Sequence, residues 1–87
     1  MPSKAGADER TIVLTEDLHA RPASALAQTA AAFTSAVTLS YGSRTVDVRS
    51  VLSLMSLGAT SGQTVTLSAT GDDAAEALTA LASVLGG

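Results

Sequence analysis

The chain has 87 residues, room for one small domain and not for two. It contains no cysteine and a single histidine, which excludes a disulfide framework, thiolate metal sites and a multi-histidine metal site within one chain. Charged residues make up 15% against about 25% in an average domain, and the net charge of −3 does not attract nucleic acid or anionic lipid.

The first ten residues, MPSKAGADER, carry no apolar signal-peptide core and read as a solvated tail before a single domain at 11–87. With no cysteine and no export signal, the expected location is the cytoplasm. Thr11–Leu14 (TIVL) is a short β-type run. Pro22 then opens an Ala-rich stretch to about Phe33 that suits a helix, with Ala23, Leu26, Ala27, Ala30 and Phe33 close to helical spacing. Val37, Leu39 and Tyr41 alternate with Thr38 and Ser40, Gly42-Ser43 turns, and Arg44–Val48 returns as the second strand of a hairpin. Ser50 is placed to cap a short helix, Val51 to Leu57, that stops at Gly58. Thr64–Ala69 alternates again, and a last helix runs from Ala74 to Leu85 with Asp72, Asp73 and Glu76 complementing its N-terminal dipole. The uncharged runs 22–43 and 50–71 are broken by Gly, Gln, Ser and Thr, so neither predicts membrane insertion. The order β-α-β-β-α-β-α predicts an α+β open-faced sandwich: a four-stranded antiparallel sheet covered on one face by three helices.

In so charge-poor a chain, Glu16, Asp17, His19 and Arg21 fall within six positions. His19 lies just before the first predicted helix, whose N-terminus offers unpaired N–H groups and about half a positive charge, a ready site for an anion such as phosphate. That field disfavours a cationic ring and suits a neutral, nucleophilic imidazole. Arg21 adds a planar fork of donors that fits phosphate, and Pro22 stiffens the turn. These residues suit a phosphorylated histidine; His19 as an ordinary turn histidine and Arg21 as a solvated charge is the competing reading. A Ser–His–acid hydrolase is disfavoured because so small a shell leaves little room for a substrate cleft.

The second helix has apolar residues on more than one face: Val51, Leu52, Leu54, Met55 and Leu57. A short helix on a sheet buries one stripe, so part of this set is expected on the surface, where apolar area with a methionine beside Arg21 and Arg49 would suit an acidic partner; the competing reading is that all of them pack inside. Ser50 reads first as a helix cap; phosphorylated, it would put about two negative charges beside that patch.

Two segments resemble a known family. Leu18-His19-Ala20-Arg21-Pro22-Ala23-Ser24 is similar to the active-site signature of HPr, the histidine-containing phosphocarrier of the bacterial sugar phosphotransferase system. The stretch from Thr45 to Gly58 (TVDVRSVLSLMSLG) resembles that family's regulatory-serine motif. The resemblance implies that His19 accepts a phosphoryl group on Nδ1 from phosphorylated enzyme I, ultimately from phosphoenolpyruvate, and passes it to enzyme IIA domains. Such a protein is a stoichiometric carrier that needs no cofactor or metal. Arg21 would stabilise the phosphate, with Ala20 and Ser24 around it. Val51, Leu52 and Met55 match the family's docking patch, and Ser50 matches the residue modified by an HPr serine kinase/phosphorylase in many Gram-positive relatives. The alternatives are a regulatory interaction module switched at Ser50, or a carrier for a nitrogen-regulatory or dihydroxyacetone-kinase branch. The chain departs from the family at Asp17, where relatives usually have glycine. Asp tolerates the left-handed backbone such a turn would need, and Asp17 with Glu16 would oppose an incoming phosphate.

Overall fold

A computed structural model describes residues 7–86 of the chain. The elements are β1 (Ala7–Val13), α1 (Ala20–Ala30), β2 (Ala36–Tyr41), β3 (Arg44–Asp47), α2 (Val51–Ser56), β4 (Thr64–Thr70) and α3 (Ala74–Leu85). The strands form one sheet in the order β1-β4-β2-β3, and every neighbouring pair is antiparallel. The three helices cover one face. This is the open-faced α+β sandwich that the alternation of periods in the sequence predicts.

The pleat decides what each face carries. On β4, Val65, Leu67 and Ala69 point into the core, while Thr64, Thr66, Ser68 and Thr70 point away from it. Ile12 and Leu14 continue the core along and just past β1, and Val37 and Leu39 continue it on β2. From the helical layer come Leu26 of α1, Leu54 of α2 and Leu78 and Leu81 of α3. Each fully buried leucine contributes about 2 kcal/mol relative to an exposed one. The opposite face is open and carries a row of aligned hydroxyls, Thr11, Thr66, Ser40 and Thr45, across all four strands. Ser40 and Thr45 are hydrogen-bonded at 2.8 Å.

Several boundaries differ from the sequence expectation. β1 begins at Ala7 and not Thr11, so Ala7–Arg10 belong to the sheet and not to a solvated tail; the rest of that expected tail, residues 1–6, lies outside the described residues. Asp8, Glu9 and Arg10 are poor strand formers by composition, but β4 supplies a partner for each, from Ala69 to Leu67. Their charges sit on an edge strand, where they discourage pairing with other chains. α1 starts at Ala20, two residues before Pro22, which occupies the third helical position, where no intrahelical N–H bond is required. It ends at Ala30 and not near Phe33 because the chain tightens there: Ala32 and Phe33 N–H donate to the carbonyls of Thr29 and Ala30. The limits of β2, β3, α2 and β4 differ from expectation by one residue each, and α3 matches.

The turn into α3 depends on one close approach. Gly71 has φ +145°, and a Cβ there would lie 2.8 Å from the Ser35 Cα. Asp73, at the N-cap of α3, makes no side-chain cap bond to its own helix. Its carboxylate instead accepts from the N–H groups of Thr34 and Ser35, each at 2.9 Å, and from the Ser35 hydroxyl. From its place at the N-terminus of α3, Asp73 thus also clamps the α1–β2 loop. Those bonds, led by the Ser35 hydroxyl, hold its carboxyl at about 2, below the usual 3.8.

Candidate functional site at the N-terminus of α1

The segment between β1 and α1 is stitched to two other parts of the fold. Leu14 N–H donates to the Gln63 carbonyl and Leu14 carbonyl accepts from Gly62 N–H, at 2.9 and 2.8 Å. Leu18 is buried, and its N–H donates to the Ala59 carbonyl at 2.9 Å. Asp17 Oδ1 accepts from Ser61 N–H at 2.8 Å, and the Thr15 hydroxyl donates to the Leu85 carbonyl at the end of α3. Among the described residues no non-glycine has positive φ. Asp17 is thus not in the left-handed conformation that the usual glycine suggested. It is an anchor to the α2–β4 loop, which a glycine could not provide.

On this braced segment His19 is the N-cap of α1, in an extended conformation, and its side chain makes no cap hydrogen bond. The imidazole is about half exposed, with 53% of its side-chain surface accessible. The helix's own ladder begins with Ala23 N–H to the His19 carbonyl at 3.0 Å. The N–H groups of Ala20 and Arg21 precede it, and Pro22 has none. Arg21 is exposed, and its Nη2 lies 3.4 Å from Glu16 Oε1. The same oxygen is 3.7 Å from His19 Nε2. Ring, guanidinium and carboxylate form one cluster at a helix end that favours anions. Because α1 begins at Ala20, Ser24 is the fifth helical residue, one turn above Ala20 on the same face and not in the first turn.

The other predicted residues fall into two places. α2 runs back along α1: the Arg49 side chain reaches the C-terminal end of α1, while Ala59, just past α2, meets Leu18 beside the site. Leu54 and Leu57 are buried, Val51 is half-buried, and Leu52 and Met55 are exposed at 80% and 39%. The expected apolar surface on α2 is therefore present. Ser50 is the cap of α2: its Oγ accepts from Ser53 N–H at 3.3 Å and donates to Ser53 Oγ at 2.8 Å. Arg49, expected at a docking rim, is exposed, and its guanidinium clamps the end of α1 and the loop that follows it. Its Nη2 donates to the carbonyls of Ala30 and Phe33 at 2.9 Å and of Ser35 at 3.3 Å. That end is separated from His19 by the length of α1, about 16 Å for eleven residues at the α-helical rise.

Glu16, expected only as a charge opposing phosphate, joins His19 to Arg21. Its spacing, three residues before one and five before the other, is compatible with that contact, but only the loop geometry makes it. Among the described residues, no group of three or more His, Cys, Asp or Glu is arranged to hold a metal. No described helix is long and apolar enough to cross a membrane.

The fold and the histidine-bearing helix end define the phosphocarrier class, and the match to known proteins is direct. A family model described as the PTS HPr component phosphorylation site matches residues 7–86, and the chain belongs to that family. Its role is that of a phosphocarrier of the phosphotransferase system. Among solved structures, the phosphocarrier protein HPr from Bacillus anthracis str. Ames is 31% identical, with a TM-score of 0.85 over 91% of this chain and 96% of that one. HPr-C-His from Thermoanaerobacter tengcongensis is 38% identical, with a TM-score of 0.79 over 92% and 90%. Crh, the Bacillus subtilis catabolite repression protein, is 42% identical, with a TM-score of 0.76 over 84% of each chain.

Proposed function

We propose that His19 is the phosphoryl acceptor, taking the group on Nδ1 from phosphorylated enzyme I and delivering it to enzyme IIA domains. The observation that carries this reading is the half-exposed imidazole at the α1 N-cap, free of any cap hydrogen bond and two residues from Arg21. The Nδ1 lone pair attacks phosphorus, the donor's P–N bond breaks, and the donor nitrogen recovers the electron pair. The N–H groups of Ala20 and Arg21 and the Arg21 guanidinium would receive the phosphoryl oxygens. A carrier must release what it binds, so a shallow, open site suits the task better than a cleft. The exposed Leu52 and Met55 with Val51 form a small apolar patch on α2, suited to brief encounters with these partners. Such a carrier works in the cytoplasm.

A second reading draws on the likeness to Crh: a regulatory module switched at Ser50, whose hydroxyl stands at the N-cap of α2. Partner binding that survives His19→Ala and is lost in Ser50→Asp would favour it.

Incubation with enzyme I and phosphoenolpyruvate tests the primary reading. An acid-labile, alkali-stable adduct of about 80 Da, one phosphoryl group, is expected on the protein and absent from His19→Ala. No adduct with enzymes I from several sources overturns the reading.

A further inference from the structure

Glu16 has a definite place in the site. Its Oε1 lies 3.7 Å from His19 Nε2 and 3.4 Å from Arg21 Nη2. The carboxylate therefore approaches the half-exposed ring at Nε2 and not at Nδ1, the proposed acceptor. We infer that Glu16 is a positioning residue for phosphoryl transfer, holding the imidazole as the Nε2–H tautomer and balancing the positive charge the ring acquires. This rests on the proposal that His19 is the acceptor.

The chemistry follows from what each group can donate. An ionised carboxylate only accepts, and a neutral imidazole has one N–H and one lone pair. At 3.7 Å the contact is electrostatic and longer than a hydrogen bond. It still favours the ring form that turns its N–H toward the anion, which leaves the lone pair on Nδ1. When that lone pair forms the new N–P bond, the donor's P–N electron pair returns to the donor. The acceptor ring becomes cationic, with its proton still on Nε2 facing Glu16. No base is needed during the step. The logic is that of the carboxylate in a Ser–His–Asp triad, which fixes the tautomer and stabilises the imidazolium without taking its proton.

Arg21 completes the arrangement. Before transfer its guanidinium shares the Glu16 oxygen with the ring. An arriving phosphoryl group, with more charge and more acceptor oxygens, draws the guanidinium away and leaves the carboxylate to the ring. Asp17, the other acid nearby, accepts from Ser61 N–H through Oδ1, and the ion pair to the ring is made by Glu16.

Two measurements on the intact chain test this. Long-range 1H–15N spectra of protein labelled in histidine, in buffer alkaline enough to keep the ring neutral, report the tautomer directly. The native protein should be dominated by the Nε2–H form, and Glu16→Ala should relax toward the mixture of a free imidazole. In rapid-quench transfer from phosphorylated enzyme I, Glu16→Ala and Glu16→Gln should react about three- to fivefold more slowly, the size of one exposed charge interaction. Enzyme I affinity should be unchanged. Tautomer populations identical in native protein and Glu16→Ala, or a native protein dominated by Nδ1–H, overturn the inference. If His19 accepts no phosphoryl group at all, the proposed function fails, while the tautomer spectra still decide whether Glu16 orients the ring.

Discussion

At its C-terminal end α1 is closed by other parts of the chain: Arg49 takes the carbonyls of Ala30, Phe33 and Ser35, and Asp73 takes the N–H groups of Thr34 and Ser35. At its N-terminal end the same helix carries no side-chain cap, and its N-cap imidazole is half exposed. One end satisfies its backbone groups within the fold; the other leaves N–H groups and a ring facing outward beside an arginine. A helix end left uncapped in a small domain forgoes about 1 kcal/mol, and the bracing of the loop before it shows that the region is not simply loose. The contrast sets residues that hold the helix, Arg49 among them, apart from the open end beside His19.

The largest effect on stability should come from breaking the closed end. Arg49→Ala removes a guanidinium that satisfies three carbonyls and should cost about 1.5 kcal/mol, the lower end for hydrogen bonds to a charged group because the side chain is exposed. The urea midpoint should fall with little change in m. Phosphoryl acceptance by His19 should persist in the folded fraction; its loss there would erase the division between the two ends.

Acid should loosen the same end through Asp73. Its carboxyl is lower in the folded protein, at about 2, than the ordinary 3.8. The folded state therefore binds fewer protons, and the contribution is full above pH 4, failing as pH falls toward about 2. Urea melts of the native protein and Asp73→Asn should differ above pH 4, and the gap should close toward pH 2. A gap that is constant across that range would remove the carboxylate charge from the clamp.

At the open end, Asp17→Gly should cost about 1 kcal/mol by releasing the bond to Ser61 N–H. Removing its negative charge should also stabilise the phosphorylated ring slightly. A variant as stable as the native protein would make the Asp17 anchor incidental. The smallest change in stability, within about 0.5 kcal/mol, is expected for Leu52→Ser, since that side chain is 80% exposed. Its transfer rates with enzyme I should nevertheless fall, and unchanged rates would free α2 from any docking role.

The element order, the four-stranded antiparallel sheet, the α2 surface patch and the Ser50 cap were legible in the sequence because each rests on local periodicity or a local turn residue. The placement of His19 before a helix was legible for the same reason. Residues 7–10 were misread because their strand exists only through pairing with β4, about sixty positions away. The long-range bonds of Arg49, Asp73 and Asp17 were not legible because each reaches a distant segment: Ala30 to Ser35, Thr34 and Ser35, and Ser61. Away from the site, Arg49 and Asp73 serve as long-range clamps, which spacing does not reveal.

The central claim is that the open end of α1 receives the phosphoryl group. It is tested most directly by 15N spectra of the protein before and after incubation with enzyme I and phosphoenolpyruvate. The His19 ring should shift, phosphorylated at Nδ1, with the largest backbone amide changes at Ala20 and Arg21 and none at the Arg49 clamp. A phosphoryl group found elsewhere, or a His19 ring unchanged while the adduct forms, would contradict it.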